Sequence, residues 1–160
     1  MNLRKGMTLA GLCLTLSSCV GLAVSPMAKY NGPAGDFDDT HGSGFSAGAQ
    51  GEFMLGIFSI VGEAGYSWFG GDDFEGTSYD SADGFEFTAG GRFLLGPVFA
   101  GAQGGYGTGD LDQGLFKPEV GVHLGKLSLF AQYQTVDLQW WSLGGSYSLF
   151  LRVSLDRRRS

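Results

Sequence analysis

The chain has 160 residues, enough for one domain, and a formal net charge of −6 at pH 7. The acidic balance argues against a nucleic-acid partner, because binding phosphates requires a basic surface. Only 16% of the residues are charged, against about 25% in a typical soluble domain. The 29 glycines and 13 phenylalanines favour closely packed β-structure.

Residues 1–19 are predicted to be an export leader. MNLRK is basic, and GMTLAGLCLTL is an apolar run too short to span a bilayer as a helix. The LSSC stretch ending at Cys19 resembles the bacterial lipobox, in which the cysteine is lipidated and becomes the first mature residue; ordinary cleavage near Ala23 is the alternative. Both cysteines lie in this leader, so no disulfide or cysteine metal site is expected in the rest of the chain.

Segments of about ten residues with alternating hydrophobicity follow the leader. In IFSIVGEAGYSWF, apolar or aromatic residues alternate with small or polar ones. Seven such strands are predicted, within 44–55, 57–69, 83–95, 98–106, 116–124, 127–135 and 142–155. An eighth strand between Leu22 and Tyr30 is required if both chain termini lie at the end of the sheet that carries the short turns. Pro26 makes that stretch a poor strand.

The connections between these strands alternate in length. Tight turns are predicted around Gly56, Gly96 and Gly125, whereas 70–82 and 107–114 are longer polar loops. Most of the acidic residues fall in the long loops, and the opposite end carries Lys126 and the tail arginines. The two ends of the sheet are therefore expected to face different compartments.

The alternation predicts an all-β fold, a single antiparallel transmembrane β-barrel with its apolar face outward, because a lipid-embedded sheet must close to pair its backbone. A lipocalin-like barrel or a β-sandwich would turn the apolar face inward instead. The polar face is rich in Gly, Ser and Gln and poor in Lys and Arg, which favours a lumen over a water-exposed surface. Five aromatic residues are predicted to lie at the membrane interface, where amphipathic rings are favoured: Tyr66, Trp68, Tyr106, Trp140 and Trp141.

A polar lumen then receives seven titratable side chains, namely Glu52, Glu63, Glu86, Arg92, Lys117, Glu119 and His123. Counting through the turns places Arg92 close to Glu52 and Glu63, so we expect its guanidinium to bridge both carboxylates. An eight-stranded barrel is only wide enough for its own side chains to fill. The expectation is a hydrogen-bonded plug, with gated conduction or a ligand role as the alternative.

FKPEVGVHLGKLSLFAQYQ followed by WWSLGGSYSLF resembles the outer-membrane protein β-barrel domain family, which includes small eight-stranded porin-like proteins of Gram-negative outer membranes. SLGGSYSL, residues 142–149, also resembles the C-terminal signal read by the outer-membrane assembly machinery. The resemblance implies an outer-membrane barrel over 20–155, with membrane lipid and that machinery as partners. Such barrels usually end at an aromatic residue, whereas here LRVSLDRRRS follows Phe150, so we predict either a long last strand or a short basic tail over 156–160.

The expected role is a structural or adhesive scaffold that displays acidic loops. A subunit of a larger envelope complex and a narrow porin-like channel are the alternatives. Lipid A deacylases resemble this protein in size and use a His with a Ser two residues later, but Leu124 and Gly125 follow His123. We therefore expect no enzymatic activity and no cofactor. No metal site is expected either, because the acidic loops match no calcium-binding repeat and solvated acidic loops are common.

Overall fold

The computed structural model describes residues 20–35, 41–71, 73–74, 77–78, 80–135 and 137–151. Residues 1–19, with the predicted leader and Cys19, and the predicted tail 156–160 lie outside the described residues. No helix in the part of the chain that the structure describes is long and apolar enough to cross a membrane.

Strands make up most of the described chain. The strands are β1 (Val20–Ala34), β2 (His41–Leu55), β3 (Phe58–Gly71), β4 (Asp73–Phe74), β5 (Thr77–Ser78), β6 (Ala82–Leu95), β7 (Val98–Gly107), β8 (Gly114–Leu124), β9 (Leu127–Gln134), β10 (Gln139–Tyr147) and β11 (Leu149–Leu151). A single turn of 3₁₀ helix, Gly109–Leu111, lies between β7 and β8. Strands β4 and β5 form a small separate hairpin in the loop between β3 and β6.

The remaining strands form one closed antiparallel sheet. Its order is β10-β9-β8-β7-β6-β3-β2-β1, and β1 pairs with β10 to close the ring. β11 continues the line of β10 beyond Ser148 and also pairs with β1. The predicted eight-stranded antiparallel β-barrel is thereby confirmed.

Pro26 does not interrupt β1, which runs for 15 residues. On one side β1 pairs with β2 along most of its length, including Pro26 opposite Ala49. On the other side the ladder to β11 ends at Val24 and the ladder to β10 begins at Met27. The proline therefore lies where the second ladder is already interrupted, and its missing N–H costs no hydrogen bond there.

Short turns lie at one end of the barrel, called here the turn end, as the sequence predicted. Gly56, Gly96 and Gly125 adopt left-handed backbone conformations, with φ of 66°, 65° and 69°. Only glycine takes this conformation without strain, so these residues allow two-residue hairpin turns. The longer connections, including the 3₁₀ helix, lie at the opposite end, called here the loop end.

The side chains follow the period-two alternation, but with polarity inverted relative to a soluble protein. Large apolar side chains point outward, and among them Leu95 is 73% and Phe45 61% exposed. Charged side chains point inward, where Lys29, Glu63 and Arg92 are at most 4% exposed. Lys, Glu and Arg are seldom fully buried in soluble proteins unless paired, so the interior must supply partners for these charges.

Candidate functional site: the filled lumen

Four charged side chains from four different strands meet near the middle of the lumen and form what we call the upper ion group. Lys29 Nζ donates to Glu63 Oε1, and Lys117 Nζ donates to Glu86 Oε2. The crossed pairs are also close, since Lys29 Nζ lies 3.8 Å from Glu86 Oε2 and Lys117 Nζ lies 3.8 Å from Glu63 Oε1. Each ammonium therefore lies between two carboxylates.

A neighbouring lower ion group is built around Arg92 on β6. Its Nε lies 2.6 Å from Glu119 Oε1 and its Nη2 lies 2.8 Å from Glu119 Oε2, a bidentate arrangement. Its Nη1 lies 3.5 Å from Glu52 Oε2. Gln50 also faces the guanidinium, and turning its amide by half a rotation lets the oxygen accept from Arg92. The planar guanidinium thus holds two carboxylates together and lies against one amide.

Gln132 on β9 joins the two ion groups. Its Nε2 donates to Glu119 Oε2 at 3.1 Å and to Glu63 Oε2 at 3.3 Å. Gln103 also donates to Glu119 Oε2, at 3.1 Å, and accepts from Thr88 Oγ1 at 2.8 Å. Each carboxylate thus has several donors, which offsets the high cost of taking charges out of water.

Small residues make room for this network. Gly144 on β10 faces inward, and a Cβ built there would lie 2.7 Å from Lys29 Cγ and 2.7 Å from Phe130 Cε2. Any larger residue at this position would clash with the aliphatic part of the Lys29 side chain, which packs along the wall. Toward the loop end, a chain of hydrogen bonds then continues through Ser142, Asn31, Ser46 and Ser67 to Glu86, at distances of 2.5 to 2.7 Å.

Apolar clusters border the polar network on both sides. At the loop end, Leu111 from the 3₁₀ helix packs with four buried residues of the barrel wall: Phe69, Ala82, Leu115 and Trp140. Toward the turn end lie Met27, Phe99 and Phe130. Lys117 Nζ is 5.9 Å from the Trp140 ring centre and Arg92 Cζ is 4.5 Å from that of Phe99. Aromatic rings thus cover both ion groups.

One polar side chain in this region has no partner. Gln134, the last residue of β9, is 1% exposed, and neither its Nε2 nor its Oε1 has a hydrogen-bond partner among the described residues. It lies opposite Trp140 in the β9–β10 pairing. A buried amide without partners is destabilising, because it loses its hydrogen bonds to water.

The prediction that Arg92 bridges Glu52 and Glu63 is wrong for Glu63. Arg92 contacts Glu52 and Glu119, whereas Glu63 is bound by Lys29 and Gln132. The partner was missed because Lys29 lies on β1, where Pro26 had made the strand uncertain. Alternation alone would have found it, since Ala23, Ser25, Met27 and Lys29 all share the inward parity of β1.

The prediction that Trp140 lies at the membrane interface is also wrong. Trp140 is 1% exposed and packs inside the barrel, with its ring centre 5.4 Å from that of Phe69. Successive residues of a strand point to opposite faces, so the adjacent Trp140 and Trp141 cannot both face outward. Trp141 has the outward position and is 39% exposed.

The other predicted interface aromatics, Tyr66, Trp68 and Tyr106, are exposed on the outer wall near the loop end. The hydroxyl of Tyr66 donates to Asp83, and that of Tyr106 donates to Asp112. Each ring therefore presents its apolar face outward while its polar tip is held by an aspartate at the loop end. This arrangement suits a boundary between apolar and aqueous surroundings.

His123 lies half-buried at the turn end of β8, next to Ser128 on β9. Its Nδ1 is 2.8 Å from Ser128 Oγ, and its ring centre is 4.7 Å from that of Phe99. The sequence offered no serine two residues after His123, but the hairpin supplies one across the strand pair. Ser128 is 4% exposed and faces the interior.

No group of three or more His, Cys, Asp and Glu side chains in the described part of the chain is arranged to hold a metal ion. Several residues of the acidic segments lie outside the described residues, among them Asp36, Asp38, Asp39, Asp72 and Glu75.

The comparisons with known proteins support the fold and nothing more specific. No family model matches the chain, and no curated protein matches it by sequence. A solved structure described as de novo design of transmembrane β-barrels is similar, with a TM-score of 0.55 and 18% sequence identity. The match covers 81% of this chain and 95% of the designed one. The chain therefore has the fold of a small transmembrane β-barrel.

Proposed function

We propose that this protein is a non-conducting scaffold in the outer membrane of a Gram-negative bacterium, which displays acidic loops at one side of that membrane. The observation that carries the proposal is the inverted partition of side chains. Large apolar residues cover the outer wall, and paired charges fill the interior. An apolar surface extending around a barrel would drive aggregation in water but is stable against acyl chains.

The filling of the lumen supports a scaffold over a channel. Two ion groups joined by Gln132 occupy the interior, and apolar clusters border them on both sides. Ions would have to displace both the Trp140 cluster and the buried pairs to pass. Breaking buried pairs is costly, so the barrel is expected to stay closed at ordinary membrane potentials.

The distribution of exposed charge supports a fixed orientation. The loop end carries exposed carboxylates at Asp80, Asp110, Asp112 and Asp137. Lys126, at the turn end, is the one exposed Lys or Arg among the described residues. Small outer-membrane barrels have short periplasmic turns and longer external loops, so the acidic end is the one proposed to face outward from the cell.

We further propose that the protein has no catalytic activity. The pair of His123 and Ser128 faces the interior, where the Phe99 ring covers the histidine. A hydrolase needs its nucleophile and base within reach of a bound substrate. The proposed partners are membrane lipid and, during assembly, the machinery that reads the segment spanning Ser142 to Leu149. A further envelope protein remains a sequence-based expectation.

Three measurements test the proposal. Outer-membrane fractionation with mass spectrometry of the mature N-terminus should recover the chain in that membrane, starting at lipidated Cys19 or near Ala23. The extracted protein should change its gel mobility on heating. Planar bilayers containing the protein should show no channel currents. Recovery in the soluble fraction would exclude the membrane location, and reproducible unitary currents would exclude a closed scaffold.

A further inference from the structure

The outer wall of the barrel has a surface depression that the proposed scaffold role does not explain. Across β1, β10, β9 and β8, a shallow depression of about 550 Å³ lies over Ala28, Gly145, Ala131 and Val122. A second depression of about 450 Å³ adjoins it and is lined by Pro26, Leu127 and Tyr147. Both are bordered by Ala28 and Gly145. They therefore form one continuous groove, called here the wall groove.

Small residues form the floor of the wall groove, and larger residues form its sides. Ala28 pairs with Gly145, and Gly145 pairs with Leu129, so one row across three strands reads Ala, Gly, Leu. Leu143, Leu129 and Val120 border the groove and are 45 to 57% exposed. Nearly all of its lining is apolar, which suits a hydrocarbon chain but offers no hydrogen bonds to a polar ligand.

One end of the wall groove meets the exposed lysine. Leu127 and Tyr147 pair with each other at the turn end of β9 and β10, and Lys126 immediately precedes Leu127. The backbone carbonyl of Lys126 accepts a hydrogen bond of 2.7 Å from the N–H of Ser148, which ties the turn to this part of the wall. The backbone of Lys126 is therefore fixed beside the mouth of the groove, and its exposed side chain starts from that position.

The distribution of exposed charge differs between the two ends of the barrel and favours a negative group at the turn end. The exposed carboxylates at Asp110, Asp112 and Asp137 lie at the opposite end of the barrel, where they disfavour a negative headgroup. A ligand that fits the whole feature has a negative headgroup at the turn end and a hydrocarbon chain that extends toward the middle of the wall.

We propose that the wall groove binds one acyl chain of an anionic phospholipid, with its phosphate at Lys126. The site rests on the proposed membrane location, since only a membrane-embedded barrel presents this wall to lipid. The groove shields the chain on one side, and Lys126 adds attraction for a net negative headgroup over a zwitterionic one. A single Lys near a membrane surface favours an anionic lipid by about five-fold.

The test uses the full chain reconstituted into phosphatidylcholine vesicles, with a trace of phospholipid carrying a nitroxide on its acyl chain. Electron spin resonance measures the fraction of that lipid immobilised on the protein. Labelled phosphatidylglycerol should be retained about five-fold more strongly than labelled phosphatidylcholine. In Lys126→Gln, this preference should fall to near unity while chain immobilisation persists.

A matched pair of variants tests the groove itself. In Gly145→Leu the new side chain is directed into the groove, and its Cβ has room, since it would lie 3.4 Å from Leu129 Cδ2 and 3.5 Å from the Ser128 carbonyl oxygen. Gly62→Leu makes the same change on the outer face of β3, where a Cβ lies 3.8 Å from the nearest atom. The most strongly immobilised lipid should be lost in Gly145→Leu and retained in Gly62→Leu.

Equal retention of the two headgroups by the parent, or equal effects of the two glycine variants, would overturn the lipid site while leaving the scaffold intact. Failure of the parent to insert into vesicles, seen as unprotected strands under protease, would overturn the membrane location and the lipid site together. Heat-dependent gel mobility of each variant verifies that it has folded, and Gly145→Ala replaces Gly145→Leu if the larger side chain prevents folding.

Discussion

Lys29 donates a charge-assisted hydrogen bond to Glu63 across the lumen, although the two residues are 34 positions apart in sequence and lie on β1 and β3. Both side chains are about 2% exposed or less. The pair links the first strand of the barrel to a strand that is not its neighbour. The pair therefore stabilises the closed cross-section of the barrel, in addition to offsetting the burial of its own two charges.

Replacing Lys29 with methionine should destabilise the barrel by about 3–5 kcal/mol, because the upper ion group would keep two carboxylates with one ammonium. Urea unfolding in detergent micelles, followed by tryptophan fluorescence, measures the change. Adding Glu63→Gln should restore part of the loss, since it removes the excess charge. Lys126→Met, at an exposed position, should change stability by less than about 0.5 kcal/mol. Equal losses in the two lysine variants would contradict the buried pair.

Arg92 should be coupled to Glu119 and not to Glu63. In a double-mutant cycle, Arg92→Met with Glu119→Gln should give an interaction energy of about 1.5–3 kcal/mol, because the bidentate hydrogen bonds at 2.6 and 2.8 Å are lost together. The same cycle with Glu63→Gln should give an interaction energy near zero. A strong coupling between Arg92 and Glu63 would instead support the pairing expected from sequence.

Two glutamines on β9 should respond in opposite directions when replaced by methionine. Gln134→Met removes a buried amide for which the described residues provide no hydrogen-bond partner, and it should stabilise the barrel by about 1–3 kcal/mol. Gln132→Met removes the donor shared by Glu63 and Glu119 and should destabilise it by a similar amount. Both variants keep the volume of the side chain nearly constant, so urea midpoints can be compared directly. A loss of stability in Gln134→Met would show that its amide is satisfied in solution.

The barrel and its inside-out polarity could be predicted from sequence, because both follow from the period of two and from turn glycines such as Gly56. The partners inside the lumen could not, since they depend on register and on the tilt of the strands. Pro26 made β1, and with it the position of Lys29, hard to predict. A proline usually indicates a strand break, and the exception is a position where the neighbouring ladder is already interrupted. The prediction for Trp140 was wrong for a different reason. An aromatic residue near a strand end is typical of the membrane interface, but the parity that Trp140 shares with Ser142 directs its side chain into the lumen.

The opposite orientations of Trp140 and Trp141 predict different contact with lipid. In variants that keep a single tryptophan, with the others changed to phenylalanine, brominated acyl chains should quench Trp141 strongly and Trp140 weakly. Trp140 is buried in the loop-end cluster, whereas Trp141 is exposed on the outer wall. A variant retaining only Trp68, which is also exposed, serves as the positive control. Equal quenching of Trp140 and Trp141 would be inconsistent with the strand parity.

A charge placed on the outer wall should cost more at mid-strand than near the turn end. Ala64 lies on the outer face near the middle of β3, and Leu95 ends β6 at the turn end. Arginine at the bilayer midplane destabilises a barrel by about 2–4 kcal/mol, falling to about 0–1 kcal/mol near the interface. Ala64→Arg should therefore lose most stability in vesicles, Leu95→Arg little, and Ala64→Leu, which adds apolar volume without charge, almost none. Urea unfolding from vesicles measures all three. If Ala64→Arg were tolerated as well as Leu95→Arg, the outer wall would be facing water.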